Sequence, residues 1–273
     1  MIASPAVAGN GLIRIIDRMP APVARRFRAD SVLARVARPL INRFAPQGET
    51  VVTVRSGPGE GLKLPVRLKS EKYYWTGAHE PHVQAALERL LEPGMTFWDV
   101  GAHIGFVTTM AARMVGDTGR VVSFEPMPET ADRLRRSVEL NGFGNVTVLQ
   151  CAVDDFAGEK TLHPPKASGE GDIDATQPTV MWTLVDEIGA AGGVTVQCRR
   201  LSDVAEQFGA PDLIKIDAEG AEVEVLASGL DLLEQHGSRV IIEISDDETL
   251  GRARALLPEA TFKLIGANHW LID

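Results

Sequence analysis

This 273-residue chain has few cysteines, no long apolar run and no excess of positive charge, and each of these features excludes a class of protein. The two cysteines, Cys151 and Cys198, cannot make a disulfide framework, and neither has the Cys-x-x-Cys or Cys/His spacing of a zinc site. No apolar run approaches the ~20 residues that cross a bilayer. The formal net charge of −9 argues against nucleic acid as a partner, because phosphate binding needs clustered Lys and Arg. These absences predict a cytoplasmic protein with no membrane span.

The positive charge that is present gathers at the start of the chain. Residues 1–47 hold eight arginines against two acidic residues, and their apolar residues recur near helical spacing. We predict a basic helical arm that caps the acidic remainder or a second copy of the chain, which would make a homo-oligomer. Two alternatives stay open, namely weak association with an anionic membrane surface and an organelle-targeting segment.

Beyond the arm, short apolar strands alternate with amphipathic helices. Residues 48–80 predict an accessory β-hairpin and a lead-in segment, and residues 81–273 predict the main domain. The expected architecture is α/β, a single doubly wound and mostly parallel sheet of Rossmann-like type, closed by an antiparallel hairpin near the end of the chain. Residues 164–178 are too polar for a core element and predict a long surface loop. The expected strands cover 95–100, 120–124, 146–152, 212–216 and 239–244.

A glycine turn joins the first strand of this domain to its helix. Gly101 and Gly105 permit a tight turn, and the free N–H groups that follow attract an anion. Glu125 lies 24 positions after Gly101, at the end of the next strand, where an acid accepts hydrogen bonds from ribose hydroxyls. His103 stands where a dinucleotide fingerprint needs its second glycine. Asp99 would repel a diphosphate but hold the ammonium of an amino-acid moiety, which favours S-adenosylmethionine (SAM).

One further acidic residue extends the predicted cofactor site. An acidic site attracts the cationic sulfonium of SAM. Asp154 follows the third strand, where one carboxylate can accept the exocyclic amine of adenine. A solvated turn is the alternative for this residue.

A second charged cluster follows a later strand. Lys215 is a charged residue inside an apolar strand, and burial of a lysine is costly unless it is paired. Asp217 and Glu219 follow at the carboxyl end, where open α/β sheets bind ligands. Either acid can take a proton from an acceptor, or the two can hold a divalent cation, which the sequence allows but does not predict. The structural alternative is that the acids complement a helix dipole. Glu243 and His269 are the candidates on the acceptor side.

Five segments together resemble the FkbM-type family of SAM-dependent methyltransferases, over roughly residues 74–245. The resemblance implies a class I methyltransferase fold, SAM as methyl donor and often O-methylation of hydroxyls on sugars or secondary metabolites. The segments are Asp99-Val-Gly-Ala-His-Ile-Gly105, Phe124-Glu-Pro126, Asn141-Gly142, Leu201-Ser-Asp203 and Ile214-Lys-Ile-Asp-Ala-Glu-Gly-Ala-Glu222.

The resemblance also assigns residues. By matching positions, Asp99, Gly101, His103 and Glu125 line the SAM site, although the family commonly has Asn where His103 stands. Gly77-Ala-His-Glu80 is similar to the family's Gly-x-x-Glu segment, which implies that Glu80 reaches the methionine moiety. The family's second motif matches Lys215, Asp217 and Glu219.

The sequence therefore predicts an enzyme that transfers a methyl group from SAM to a hydroxyl of a small polar acceptor. An NAD-dependent oxidoreductase is the first alternative, and the absent middle glycine disfavours it. A non-catalytic partner protein with the same fold is the second. RNA methylation is a weaker rival, because it needs basic surface beyond the arm.

Overall fold

The computed structural model describes residues 48–163, 183–185 and 192–273. The predicted basic arm at 1–47 and the predicted loop at 164–178 lie outside these residues. The chain divides into two compact units, Met1–His79 and Glu80–Asp273.

The first unit contains the expected hairpin. Strands β1 (Thr50–Thr53) and β2 (Lys63–Val66) pair antiparallel, and helix α1 (Lys72–Thr76) follows them. The helix ends at Gly77, whose φ of 71° is the left-handed conformation common after helices. A Cβ at Gly77 would lie 1.9 Å from the carbonyl oxygen of Ser56, so only glycine fits against this backbone.

The second unit alternates strands and helices in the order that the sequence predicts, with helix starts and strand ends displaced by a few residues. Its elements in chain order are α2 (Pro81–Leu90), β3 (Thr96–Val100), α3 (Phe106–Val115), β4 (Arg120–Phe124), α4 (Pro128–Asn141), β5 (Val146–Leu149), β6 (Ala152–Val153), β7 (Gly158–His163), β8 (Thr183–Val185), β9 (Val194–Arg199), α5 (Leu201–Phe208), β10 (Leu213–Ile216), α6 (Glu222–Ala227), α7 (Leu230–His236), β11 (Arg239–Glu243), α8 (Asp247–Leu256), β12 (Phe262–Gly266) and β13 (His269–Ile272).

A seven-stranded sheet forms the centre of this unit, in the order β12-β13-β11-β10-β3-β4-β5. The five strands from β11 to β5 are parallel, and β13 runs antiparallel to both β11 and β12. Consecutive residues such as Phe97 and Trp98 are fully buried, which is typical of parallel strands covered on both faces. The predicted doubly wound sheet and its closing hairpin are confirmed.

A second sheet corrects the prediction of a single one. The strand expected over 146–152 stops at Leu149, and β6 then joins a separate four-stranded sheet in the order β6-β9-β7-β8. Ala152 pairs with Cys198, and these two residues form a small core with Leu162 and Val196. Apolar residues lie on both sides of this break, with Gln150 as the single polar residue between Leu149 and Val153, so the pattern does not show that two different sheets are involved.

Within the described part of the chain, no helix is both long enough and apolar enough to pass through a lipid bilayer.

The turn after β3 lies against the backbone that follows β10. Gly101 has a φ of 75°, and a Cβ built there would stand 1.8 Å from the carbonyl oxygen of Asp217. Gly105, with a φ of 87°, precedes α3, and its Cβ would lie 2.5 Å from the Leu134 side chain. The two glycines therefore allow one turn to pack tightly against its neighbours.

We expect Gly101→Ala to destabilise the fold far more than Gly142→Ala. Gly142 has a similar φ of 70°, but a Cβ there meets nothing within 4 Å. The control should lose about 1–2 kcal/mol from the left-handed backbone alone. Gly101→Ala should lose more, because a backbone carbonyl must also move. Urea unfolding of both variants measures the difference, and equal losses would contradict the close contact.

Candidate active site

A row of polar side chains crosses the centre of the sheet. Lys215, Asp99 and Ser123 are neighbours in the register of β10, β3 and β4. Thr108 of α3 donates a hydrogen bond to Oδ2 of Asp99 at 2.6 Å and lies 3.0 Å from the Ser123 hydroxyl. Oδ1 of Asp99 is buried and has no hydrogen-bond partner among the described residues. Asp99 is thus fixed on one side and offers one acceptor atom on the other.

Lys215 is the positive charge of this site. Its Nζ lies 2.9 Å from Oδ2 of Asp217 and 3.5 Å from the carbonyl oxygen of Gly101. Burial alone would lower the pKa of Lys215, but Asp217, Asp99 and Glu80 raise it above its usual range. Lys215 is therefore a permanent ammonium group and cannot act as a base.

The pKa values of the two aspartates next to Lys215 are shifted in opposite directions. Burial raises the pKa of Asp99, and the opposing effects of Lys215 and Thr108 do not cancel it. Burial would also raise the pKa of Asp217, but its ion pair with Lys215 holds that pKa below the usual range. Asp217 is thus an ionised partner of Lys215 and a weak proton acceptor.

Glu125 and the glycine turn form a second part of the site. One carboxylate oxygen of Glu125 accepts the His103 N–H at 3.0 Å, and the other accepts the Met127 N–H at 3.0 Å. Burial raises the pKa of Glu125 to about 7, against the lowering effect of these two backbone donors. The turn from Gly101 to Gly105 and the end of β4 are therefore held together by the carboxylate that the sequence predicts to bind ribose.

Residues from three elements meet at the carboxyl end of β11. Glu243 lies opposite His269 in the register of β11 and β13, and the His269 Nε2 is 3.8 Å from Oε2 of Glu243. Asn268 donates a hydrogen bond from Nδ2 to Oε1 of Glu243. The His269 Nδ1 is 2.8 Å from Nε2 of His82 on α2. Desolvation lowers the pKa of His269 to about 4, so its imidazole is neutral.

Two carboxyl groups of this edge have a pKa near neutrality. Burial, together with the nearby Asp217, raises the pKa of Glu243 to about 7. Glu219 follows β10 in an exposed position, yet partial desolvation and the carboxylates of Asp217 and Glu222 raise its pKa to about 7 as well. Of the three predicted catalytic residues, only Glu219 combines access to solvent with a proton affinity suited to a general base.

Several candidate site residues have a strained backbone conformation. The described non-glycine residues with positive φ are Glu80 at 41°, His103 at 49°, Glu219 at 51° and Ala267 at 46°. The first three are predicted site residues, and Ala267 precedes the Asn268-His269 pair. A left-handed residue other than glycine costs about 1–3 kcal/mol and persists where the surroundings hold it, which is common at functional sites.

Asp154 is placed differently from the other predicted residues. Its carboxylate forms an ion pair with Lys160 at 2.8 and 2.9 Å and accepts the Phe156 N–H at 3.1 Å. Its predicted contact with adenine remains a prediction, and the geometry shows a structural role beside the second sheet.

Four supporting residues were not predicted to belong to the site. They hold the predicted carboxylates and histidine in place. No acidic or glycine-rich motif in the sequence around them indicates this role. These residues are His82, Thr108, Ser123 and Asn268.

The sheet order and the position of the site define the class of this protein. A parallel sheet closed by an antiparallel last strand, with a glycine turn and carboxylates at the ends of its central strands, is the class I methyltransferase fold. The sequence model of the methyltransferase FkbM domain matches residues 99–264. The match covers more than half of the chain, which therefore belongs to the FkbM methyltransferase family. Family membership confirms the resemblance and disfavours an NAD-dependent oxidoreductase.

Three curated methyltransferases are similar in sequence to this chain. The chain is 32% identical over 160 residues to methyltransferase sdnD of Sordaria araneosa, covering 50% of this chain and 60% of that protein. It is 31% identical over 202 residues to the 2-O-methyltransferase NoeI of Sinorhizobium fredii, covering 69% of this chain and 81% of that protein. It is 27% identical over 149 residues to the hexuronic acid methyltransferase AglP of Haloferax volcanii, covering 54% of each.

We expect Lys215→Met to destabilise the protein by about 3–5 kcal/mol at pH 8, because it leaves buried carboxylates without their counter-charge. The pKa of Asp217 would then lie above its unfolded value. The variant therefore loses stability as the pH rises, because the Asp217 carboxyl must then ionise in the folded state without a counter-charge. The loss of stability at pH 5 should be smaller than the loss at pH 8. Chemical unfolding at both pH values measures this difference.

The matched control is Arg135→Met, which removes the cation of the exposed pair with Asp132. It should cost less than about 1 kcal/mol at either pH. The double variant Lys215→Met/Asp217→Asn should recover part of the stability lost by the single variant. Equal losses in the Lys215 and Arg135 variants would show that Lys215 acts only as a surface charge does.

Proposed function

We propose that this chain is a SAM-dependent O-methyltransferase that acts on a hydroxyl of a small polar acceptor, such as a sugar. The observation that carries the proposal is the buried Asp99, whose Oδ1 has no partner among the described residues, beside the turn that Glu125 organises. Support for the acceptor class comes from the relatives, one of which is named a 2-O-methyltransferase and another a hexuronic acid methyltransferase.

The residues at the carboxyl ends of β3 and β4 suit the two polar parts of SAM. Oδ1 of Asp99 is an acceptor for the ammonium, which would satisfy a buried atom and offset the desolvation that raises the pKa of Asp99. Glu125 is held by two backbone N–H groups in a position to accept ribose hydroxyls. When bound, SAM supplies a methyl group on a cationic sulfonium, and the acidic surroundings favour that charge.

Glu219 is our candidate for the general base. A hydroxyl that attacks a methyl group must lose its proton, and an acceptor with a pKa near 7 is efficient at neutral pH. Asp217 instead neutralises Lys215, and the ion pair keeps both groups in place. Most of the rate enhancement would come from holding the hydroxyl in line with the methyl group.

We expect SAM to bind the purified chain and NAD not to bind, as measured by isothermal titration calorimetry. Asp99→Asn should weaken SAM binding about 10- to 100-fold, because a charge-assisted hydrogen bond of about 1.5–3 kcal/mol is lost. The new amide oxygen can still accept the Thr108 hydroxyl, so the fold should be retained.

Asp117→Asn is the control for this measurement, because Asp117 is an exposed aspartate in the loop after α3. Its SAM affinity should equal that of the wild type. Binding of NAD without binding of SAM would overturn the proposed function.

We expect Glu219→Gln to lower kcat for methyl transfer by about 10²- to 10⁴-fold, with SAM affinity unchanged. In the wild type, kcat should rise with pH through about 7, since Glu219 must lose its proton before it can accept one. This rise should be absent in the variant. The measurement is transfer of labelled methyl from SAM to a panel of sugars and to a fractionated small-molecule extract of the producing cells.

The control is Glu234→Gln, an exposed glutamate on α7, which should retain the wild-type rate and pH profile. A normal rate with the same pH dependence in Glu219→Gln would contradict a role for Glu219 as base. A chain that binds SAM but labels no acceptor would favour a non-catalytic partner protein.

A further inference from the structure

Three potential metal ligands converge at the carboxyl end of β11. Glu80 precedes α2, Glu243 ends β11 and His269 begins β13, and each presents one ligand atom within 4.8 Å of the other two. The three residues are far apart in the sequence, and no motif or spacing predicts that they form a metal site.

His269 points to a ligand at this cluster. Its side chain is only 3% exposed, and its Nε2 has no hydrogen-bond partner among the described residues. A buried polar atom without a partner costs about 1–3 kcal/mol, so an unfilled acceptor at this position is unfavourable. The nearest carboxylate oxygen is Oε2 of Glu243, which at 3.8 Å is too far for a hydrogen bond.

Neighbouring side chains orient both groups toward the gap. The His269 Nδ1 is within hydrogen-bond distance of Nε2 of His82 at 2.8 Å. If Nδ1 carries the proton and donates to His82, the lone pair of His269 lies on Nε2, facing the carboxylates. Asn268 binds Oε1 of Glu243, which leaves Oε2 on the side of His269. Supporting hydrogen bonds of this kind are typical around metal ligands.

We propose that Glu80, Glu243 and His269 bind a divalent cation of the first transition series. Bonds of about 2.1 Å place three ligand atoms of one ion about 3.0–3.6 Å apart, so these atoms would have to approach one another by up to about 2 Å. Two carboxylates and a neutral imidazole balance a charge of +2. The mixed oxygen and nitrogen ligands suit Mn²⁺ or Zn²⁺ better than Ca²⁺ or Mg²⁺, which prefer oxygen alone.

Its role in the reaction rests on the proposed function. A cation at this place would bind the acceptor hydroxyl and lower the pKa of that hydroxyl, so that Glu219 could remove the proton more readily. Binding of the cation itself does not depend on methyl transfer and can be measured without SAM or acceptor.

The test titrates the full chain, stripped of metal by a chelator, with Mn²⁺ and follows the free ion by electron paramagnetic resonance. The wild type should bind one equivalent, and Zn²⁺ should displace it. Glu243→Gln and His269→Gln should each weaken Mn²⁺ binding by more than about 100-fold, and His82→Phe by about 10- to 100-fold. Pulsed resonance on the wild type should show a nitrogen coupling that disappears in His269→Gln.

The matched control is His236→Gln, which changes an exposed histidine at the end of α7 and should bind Mn²⁺ as the wild type does. Circular dichroism is used to check that each variant is folded. If His269→Gln does not fold, the test uses Glu243→Gln, which changes only a half-buried carboxylate at the surface. Absence of Mn²⁺ and Zn²⁺ binding by the wild type, or unchanged affinity in folded Glu243→Gln, would overturn the cation site.

SAM titration of the same samples separates this inference from the proposed function. SAM binding without Mn²⁺ or Zn²⁺ binding would overturn the cation site and leave the methyltransferase proposal intact. Mn²⁺ binding without SAM binding would overturn the proposed function and support the cation site.

Discussion

The ammonium group of Lys215 is the interaction on which the site depends. A lysine in the interior of a parallel strand is unfavourable unless it is surrounded by opposite charge, and here Asp217, Asp99 and Glu80 supply it. The same positive charge allows several carboxylates to lie at one edge of the sheet without full mutual repulsion. It also gives these carboxyl groups different proton affinities. Asp217, which contacts Lys215 directly, stays ionised, whereas Glu219 and Glu243 have a pKa near 7. The arrangement thus produces a range of proton affinities from one functional group, the carboxyl.

Much of the fold follows from the sequence by simple periodicity. Apolar strands that alternate with amphipathic helices favour a parallel sheet covered on both faces, and the glycine turn at Gly101 predicts where that sheet would bind a ligand. The division between β5 and β6 could not be found this way, since Val146–Val153 is apolar on both sides of the break. Only the partner of each strand distinguishes the two sheets, and the partner of β6 lies more than forty residues further along the chain.

The sequence predicts which acidic residues lie in the candidate site, but it does not predict the contact that each of them makes. Lys215, Asp217 and Glu219 follow one another in a motif, but which carboxylate pairs with the lysine depends on side-chain geometry at the end of β10. Asp154 is a different case, because its ion pair with Lys160 is a contact that the local sequence does not indicate, and its contact with adenine stays a prediction. His82 has no distinguishing local context, and its importance appears only when the closing hairpin brings His269 against α2.

The contact between Gly101 and the carbonyl of Asp217 has a consequence for how such an enzyme diversifies. The turn after β3 and the segment after β10 approach so closely here that no side chain fits between Gly101 and the carbonyl of Asp217. Residues beyond β11 and β13 can therefore change without moving the two backbone segments that meet at Gly101. Any larger residue at position 101 would force these two segments apart, so the sequence can vary around this contact but not at it.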